Sequence, residues 1–377
     1  DQPRSRGLGD VYKRQVSAYT QQRAKILPEA FEYLFHAFTE ENAQTKNLYE
    51  GYQLLACDGS NLTIAPNLND PETLWKSNQL GATGNHLHLN ALYDVLNRTY
   101  IDALVQTAST YQEHRACIQM IERVTLDKVI LIADRGYENY NIMSHAIEKG
   151  WKFLIRIKDV HSNGIASGLE LPQTAVFDMD INLILTRNQT KSKKQAGYKF
   201  MPTVQTFDYL PIGSKEDYPI SFRIARFKIA DDSYETVITN LDRFCFSAEK
   251  LKELYHLRWG IETSFRELKY AIGLTSFHAK KVDYIKQEIF ARLTLYNYCE
   301  LITTYVVEHT ENISKKNQVN FTIAIYICRE YLRRKRKLRP PDVVKLIEKH
   351  ILPIRPGRRD PRKVKPQASV SFLYRVA

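Results

Sequence analysis

Residues 247–272 read SAEKLKELYHLRWGIETSFRELKYAI, and the spacing of their apolar residues predicts one amphipathic α-helix. At about 100° per residue, the apolar side chains of this stretch fall on one arc of the helix. They are Leu254, Leu257, Ile261, Phe265, Leu268 and Ile272. An apolar arc has to face a hydrophobic core. We therefore expect the helix to pack against the main domain of the protein.

A stripe of polar side chains runs beside the apolar arc. Its members are Tyr255, Arg258, Glu262 and Lys269, separated by three, four and seven residues. On an ideal helix this spacing keeps them within about 60° of one another. On a solvated helix, Arg258 and Glu262 would form an ordinary i, i+4 ion pair. The stretch alone does not distinguish surface ion pairing from a functional site.

The composition predicts a globular protein with a polyanionic partner. The chain has 377 residues, of which 44% are hydrophobic and 25% are charged. A chain of this length can bury a sizeable core and form two or three structural units. Its formal net charge of +12 favours nucleic acid as the partner, with an acidic membrane surface as the second choice.

Other sequence patterns predict a cytoplasmic protein that does not enter a membrane. No apolar run reaches the roughly 18 residues of a membrane span, and no signal-peptide pattern opens the chain. The five cysteines are odd in number, scattered and never in a C-x-x-C pair. They indicate buried reduced thiols rather than a disulfide framework or a zinc site.

The first fifteen residues look foreign to the rest of the chain. Residues 10–15, DVYKRQ, can be back-translated into a sequencing-library adapter, so we interpret 1–15 as a probable adapter artefact and exclude it from fold reasoning. This segment contributes +2, which leaves +10. Residues 16–45 are predicted to be a truncated helical N-terminal segment, which either packs on the main domain or belongs to a DNA-contacting module. Its apolar face contains Phe31, Leu34, Phe35 and Phe38.

The sequence of residues 50–158 predicts the first part of an α/β core. The order is three strands, a helix, a strand, a helix and a strand, which indicates a mixed sheet flanked by helices. The run YQLLACD ends in Asp58, and the β-branched run KVILIAD ends in Asp134. We expect the two aspartates to meet at one edge of the sheet.

The remaining sequence predicts three further regions. Residues 159–241 read as a β-rich insertion with no convincing helix, and their lysine run (Lys191, Lys193, Lys194 and Lys199) alone is better explained as a solvated loop than as a DNA-facing platform. Residues 242–310 contain the 247–272 helix and a long helix from Val282 to about Glu308. Residues 311–377 form a basic C-terminal region, suited to phosphate contact or to solubility.

Together, the three acidic residues predict a metal-dependent chemistry. Two strand-terminal aspartates and Glu262 would form an oxygen-only cluster, which suits two Mg²⁺ or Mn²⁺ ions. Two such ions can activate a water or a 3′-hydroxyl and stabilise the leaving oxygen of a phosphodiester. The stripe formed by Tyr255, Arg258 and Lys269 would bind the charge of that substrate.

These motifs resemble the DDE transposases of the insertion-sequence-four family. The family signature Y-x2-R-x3-E-x6-K occurs here as Tyr255, Arg258, Glu262 and Lys269, and the acidic motifs occur as CDGS at Asp58 and ADRGYENYN at Asp134. The resemblance implies an RNase H-like fold with a β-strand insertion. It implies Asp58, Asp134 and Glu262 as catalytic ligands of two divalent metals, and Tyr255, Arg258 and Lys269 as DNA-binding residues.

The same resemblance implies the partners and the reaction. The expected substrates are the inverted-repeat ends of a mobile element and target double-stranded DNA, cut and joined through a hairpin intermediate by a homodimer in a synaptic complex. The expected location is the bacterial cytoplasm, at the nucleoid. Three alternatives stay open: an RNase H-like structure-specific DNA nuclease, a catalytically silent DNA-binding protein derived from a transposase, and an inactive copy that has lost end recognition.

Overall fold

The computed structural model describes residues 21–43, 47–76, 83–160, 162–309, 317–334 and 339–354. The adapter-like segment 1–15, residues 335–338 and the basic segment 355–366 lie outside the described residues. The chain divides into two units. One comprises Asp1–Ala43, Thr63–Pro66 and Leu268–Ala377, and the other comprises Gln44–Leu62 and Asn67–Glu267.

Within the described residues, ten strands form one sheet. They are β1 (Gln53–Ile64), β2 (Leu74–Lys76), β3 (Thr83–Asp94), β4 (Thr99–Thr107), β5 (Val129–Ala133), β6 (Lys152–Arg156), β7 (Phe177–Thr186), β8 (Lys199–Phe200), β9 (Asp217–Ala230) and β10 (Ser233–Thr239). Their order is β2-β3-β1-β5-β6-β10-β9-β7-β8, and β4 pairs with β3. A separate two-stranded sheet joins β11 (Asn317–Val319) to β12 (Ile351–Pro353).

The described ranges contain nine α-helices. They are α1 (Pro28–Glu41), α2 (Glu113–Arg123), α3 (Tyr140–Glu148), α4 (Lys191–Gln195), α5 (Ala248–His256), α6 (Trp259–Glu267), α7 (Val282–His309), α8 (Phe321–Arg333) and α9 (Val343–Glu348). None of them combines the length and the apolar character that crossing a membrane requires.

The centre of the larger unit is a parallel group of three strands. β5 pairs in parallel with both β1 and β6, whereas β3 and β4 form the predicted antiparallel hairpin. Successive residues of the buried strands alternate between two hydrophobic clusters, with Leu131 in one and Ile130 and Ile132 in the other. Helices α2 and α3 contribute to the first cluster and α5 to the second. The predicted mixed sheet flanked by helices is confirmed.

The predicted β-rich insertion continues the same sheet. Strand β10 pairs antiparallel with β6, and β9 and β7 follow outward. One expectation for this region is wrong, because the lysine run lies partly on the short helix α4 rather than in a loop. The Thr190 hydroxyl caps this helix by accepting a hydrogen bond from the Lys193 backbone N–H, and the Lys193 ammonium pairs with Asp217.

The prediction of one continuous helix over 247–272 is also wrong. The helix is interrupted at Leu257 and Arg258, and residues Leu268–Ile272 form a π-helical turn. At the interruption, the backbone N–H groups of Leu257, Arg258, Gly260 and Ile261 donate to the carbonyl three residues earlier, which tightens the chain. Helix α5 packs on the sheet, whereas α6 packs on the β3–β4 hairpin. One straight helix cannot follow both surfaces.

The smaller unit is helical around α7. The Phe35 ring of α1 is fully buried, with its centroid 6.0 Å from that of Phe290 on α7, and the Asn297 side chain donates to the Thr39 hydroxyl. The predicted apolar face of α1 is only partly correct, because Leu34 is 52% exposed. The prediction of buried thiols holds for four cysteines, but Cys245 is exposed.

Candidate active site

The two predicted aspartates occupy matching positions on neighbouring parallel strands. The pairing of β1 with β5 ends at Cys57 opposite Ala133. Asp58 directly follows Cys57, and Asp134 directly follows Ala133. Neighbouring strands lie about 4.8 Å apart, so this register places the aspartates side by side. Strand β1 continues to Ile64, so Asp58 lies just after the end of the pairing with β5 but within the strand.

Each aspartate is held by the backbone that follows it. The Gly59 N–H donates to Asp58 Oδ1 at 2.8 Å, and the Gly136 N–H donates to Asp134 Oδ1 at 2.8 Å. The second contact caps a 3₁₀ turn over Arg135–Tyr137. DRG thus forms a turn directly after the buried strand β5, whereas DGS lies within β1 at the point where its pairing with β5 has ended. One oxygen of each carboxylate is thereby oriented before any ligand arrives.

Arg258 connects Glu262 to Asp58. Its Nη2 donates to Glu262 Oε1 at 2.7 Å, and its Nη1 lies 3.8 Å from Asp58 Oδ2. Arg258 is only 5% exposed, so the pair with Glu262 is not an ordinary surface ion pair. The interruption between α5 and α6 carries Arg258, and α6 carries Glu262. The structure therefore brings Asp58, Arg258 and Glu262 to one place beside Asp134.

Charge repulsion is built into this cluster. Burial, with a smaller effect from the nearby Asp134 and Glu262 carboxylates, raises the pKa of Asp58 to about 6 against the lowering effects of the Gly59 N–H and Arg258. Burial lowers the pKa of Arg258, but Tyr255, Glu262 and Asp58 outweigh it and raise that pKa above its ordinary value. Excess negative charge at a partly buried position is a property of cation-binding sites.

Tyr255 lies on α5, one turn before Arg258. Its ring belongs to the apolar cluster of the sheet face and is 3% exposed, and the Arg258 Cζ lies 5.7 Å from the ring centroid. The Tyr255 hydroxyl and the Arg258 Nε are buried, and neither has a hydrogen-bond partner among the residues that the structure describes. Such groups are destabilising unless a ligand or water satisfies them. Both atoms are therefore available to a polar ligand.

Lys269 is not on the same helical segment as the other motif residues. It lies on the π-helical turn and belongs to the smaller unit. Its side chain is half-buried, and burial lowers the pKa of the ammonium. The single regular helix from which the sequence argument placed Lys269 in line with Glu262 is not present, because a π-helical turn begins at Leu268.

The donor set fits divalent metal ions by chemistry and charge. The candidate ligands are carboxylates, which are the preferred ligands of Mg²⁺ and Mn²⁺. Within the described ranges, however, no three His, Cys, Asp or Glu side chains lie close enough to hold a metal ion. The Arg258 guanidinium, which contacts both Asp58 and Glu262, provides the neutralising charge in this arrangement.

Two residues outside the sequence motifs lie close to Gly59, the residue that follows Asp58. His88 on β3 is 4% exposed, and its Nε2 lies 3.3 Å from Oε1 of Glu113, the first residue of α2. Both side chains approach Gly59, which follows Asp58. The only sequence signal for them is a histidine within a strand and a glutamate at a helix start, which is too common to identify a site.

Comparison with known proteins agrees with the motifs. A family model for the transposase DDE domain matches residues 49–298, which contain all six motif residues. The chain belongs to the transposase DDE domain family. A probable transposase for insertion sequence element IS5377 from Geobacillus stearothermophilus is 23% identical over 178 residues, which cover 46% of this chain and 40% of the relative. This DDE-family chain thus spans less than half of the length of that relative.

A solved transposase structure is also similar. The piggyBac transposase, determined as a synaptic complex with hairpin DNA, matches at a TM-score of 0.44 and 9% identity, over 76% of this chain and 55% of that chain. The likeness is too distant to assign residue roles to this DDE-family chain.

Proposed function

We propose that this chain is a DNA transposase that cleaves DNA at the inverted-repeat ends of its element and joins the freed 3′-hydroxyl to target DNA. The observation that carries the proposal is the side-by-side placement of Asp58 and Asp134 with Glu262 joined to Asp58 through Arg258. Membership of the transposase DDE domain family supports the reaction class.

Asp58, Asp134 and Glu262 would hold two divalent ions, Mg²⁺ or Mn²⁺. When bound, the ions would activate the attacking water or 3′-hydroxyl and stabilise the leaving oxygen. The backbone N–H groups of Gly59 and Gly136 orient one oxygen of each aspartate for this purpose. Burial of Asp58 makes its carboxylate a stronger electrostatic partner for a cation than an exposed carboxylate would be.

Arg258 has two roles in the proposed mechanism. Without DNA, its guanidinium pairs with Glu262 and Asp58. When DNA and cations occupy the site, the guanidinium is released to bind a phosphate of the cleaved end, for which its planar fork is suited. The unsatisfied Tyr255 hydroxyl would donate to the same phosphate group. Lys269 would add a point charge to the terminal phosphates.

The wider assembly is part of the same proposal. We infer a homodimer that holds two element ends in a synaptic complex, and a hairpin intermediate during excision. The basic character of the chain, with a formal net charge of +12, supports binding to DNA at the bacterial nucleoid. The relative in Geobacillus stearothermophilus supports a bacterial setting.

A cleavage assay tests the proposal. A duplex carrying the inverted repeat, read from the DNA that flanks the gene, is incubated with the protein and Mg²⁺. We expect cleavage at the repeat end by the wild type and none by the Asp58→Asn, Asp134→Asn and Glu262→Gln variants. Glu253→Gln serves as the matched control, because Glu253 is an exposed carboxylate on α5. Mg²⁺-dependent cutting at wild-type rate by an aspartate variant would overturn the proposal.

Two further substrates separate the alternatives. A scrambled duplex tests sequence recognition, and a four-way junction tests the structure-specific nuclease. Preferential cutting of the junction would favour that nuclease. Binding of the repeat without any cutting would favour a catalytically silent DNA-binding protein.

A further inference from the structure

The glycines that follow Asp58 and Asp134 have a common neighbour. The His88 ring and the Glu113 carboxylate fill the space where a Gly59 side chain would stand, and the Glu113 carboxylate also lies toward the corresponding space at Gly136. A methyl group at position 59 would overlap His88 Nε2 and lie 2.9 Å from its Cε1 and 3.0 Å from Glu113 Oε1. A methyl group at position 136 would lie 4.0 Å from Glu113 Oε2. The Glu113 carboxylate thus lies toward both Gly59 and Gly136.

His88 is fixed from several sides. Its Nδ1 lies 2.7 Å from Asn61 Oδ1 on β1, its Nε2 faces Glu113, and its ring is 4.3 Å from that of Tyr111 in an edge-on arrangement. A ring with contacts to both nitrogens and to its face has little freedom to rotate. The imidazole is therefore a rigid spacer between strand β1 and the start of α2.

The turn that follows Asp134 is attached to the start of helix α2. His114 Nε2 lies 2.5 Å from the Gly136 carbonyl oxygen, and its Nδ1 lies 3.2 Å from the Asn139 side-chain nitrogen. Glu113 and His114 are consecutive on α2, so the helix start faces Gly59 through Glu113 and contacts the Gly136 carbonyl through His114. A shift of this helix start would change the separation of the two aspartates.

We propose that His88 and Glu113 form a positioning pair, which fixes the Asp58–Gly59 and Asp134–Gly136 segments relative to each other for the binding of divalent cations. The inference rests on the proposed metal-dependent function. Neither residue is a metal ligand in this proposal. The pair acts through the backbone, as residues behind metal ligands do when they orient them. It also explains why position 59 has to be glycine, since any side chain there would displace His88.

Cation binding without DNA is the appropriate test. Binding of Mn²⁺ to the folded protein stabilises it by RT ln(1 + [Mn²⁺]/Kd), so the unfolding temperature rises with affinity and concentration. A Mn²⁺ titration followed by thermal unfolding therefore reports affinity without catalysis. We expect the apparent affinity to fall roughly tenfold in Glu113→Gln and His88→Ala, with little change in unfolding temperature when EDTA replaces the metal for Glu113→Gln, which is nearly isosteric.

Matched controls are available on the same elements. Glu122→Gln removes a carboxylate on α2 that pairs with His145, and His86→Ala removes a histidine two residues before His88 on β3. Both controls should bind Mn²⁺ as the wild type does. Cleavage by Glu113→Gln should be restored by excess Mn²⁺, because the ligands themselves remain; a defect in folding alone would not respond to the metal concentration.

A double substitution tests the contact itself. Gly59→Ala should weaken Mn²⁺ binding because the methyl group displaces His88. The double variant Gly59→Ala/His88→Ala should be no worse than His88→Ala, because the methyl group then occupies the space of the ring. Losses that simply add would contradict the contact. Wild-type Mn²⁺ affinity in Glu113→Gln and His88→Ala would overturn the positioning role.

Asp58→Asn distinguishes the two possible failures. If Asp58→Asn abolishes Mn²⁺ stabilisation while Glu113→Gln and His88→Ala leave it unchanged, only the positioning pair is wrong. If the wild type itself shows neither Mn²⁺ stabilisation nor cleavage, the metal-dependent function is wrong and the positioning role falls with it.

Discussion

The Arg258 guanidinium donates a hydrogen bond to Glu262 at 2.7 Å, from a position that is 5% exposed. The same guanidinium lies 3.8 Å from Asp58. An arginine thus occupies the place between two residues that we propose as metal ligands. The negative charges of Asp134 and Glu262 act on Asp58, and the Arg258 guanidinium limits this repulsion.

Substitution of Arg258 should therefore affect cation binding and catalysis in opposite directions. Removal of a unit charge from within about 4 Å changes the energy of a second charge by about 1–4 kcal/mol near a protein surface. We expect Arg258→Ala to bind Mn²⁺ roughly tenfold more tightly and to cut DNA at least about a hundredfold more slowly. Thermal unfolding with Mn²⁺ and the cleavage assay measure the two effects. Arg258→Lys is the control, and its Mn²⁺ affinity should stay close to that of the wild type.

Asp58 should destabilise the folded protein at neutral pH. Its pKa is raised from 3.8 to about 6, so the unfolded chain ionises more easily than the folded one. The stability that this group contributes is present below pH 4 and is lost as the pH rises through 6. At about 1.4 kcal/mol per pKa unit, the loss at pH 8 is on the order of 1–3 kcal/mol.

The substitution Asp58→Asn should remove this loss of folding stability. In EDTA at pH 8 we expect the variant to unfold at a temperature roughly 2–6 °C above that of the wild type, and the difference to be largely gone near pH 4. Thermal unfolding across this pH range is the measurement. A variant that is less stable than the wild type at pH 8 would show that burial and repulsion do not set the pKa of Asp58.

The helix that carries Glu262 should depend on its contact with the β3–β4 hairpin. The hydroxyls of Tyr100 on β4 and Ser264 on α6 lie 2.9 Å apart and are buried. We expect Tyr100→Phe and Ser264→Ala each to reduce the free energy of unfolding by about 0.5–1.5 kcal/mol. In a double-mutant cycle the losses should be less than additive, because both remove the same bond. Additive losses in urea denaturation would contradict the contact.

His145 should stabilise the larger unit without affecting the proposed site. Its Nδ1 lies 2.6 Å from Glu122 on α2 and its Nε2 lies 2.9 Å from Asp208 in the insertion. We expect His145→Ala to reduce the free energy of unfolding by about 1–3 kcal/mol, since two carboxylates lose a shared partner. Mn²⁺ affinity should stay within about twofold of the wild type. A large loss of Mn²⁺ affinity would show that this cluster is coupled to the aspartates.

Local patterns predicted most of the order of the elements and the residues of the candidate site. Continuous apolar runs identified β1, β5 and β6, because buried parallel strands have no polar face. Strand-terminal aspartates predicted that Asp58 and Asp134 would meet, because neighbouring parallel strands end at one edge. The same reasoning failed for α5 and α6. A 100° period describes an isolated helix, whereas this segment follows two surfaces that differ in direction.

The sequence by itself determined the residue types of the site, their order along the chain and the mixed α/β class, because these follow from strand and helix periodicity and from motif spacing. Only the tertiary structure decided that Arg258 joins Glu262 to Asp58, that Lys269 lies on a π-turn of the other unit, and that His88 and Glu113 lie beside Gly59. Each of these depends on contacts between elements distant in sequence. Local periodicity carries no information about such contacts, because side-chain packing sets them only when the chain has folded.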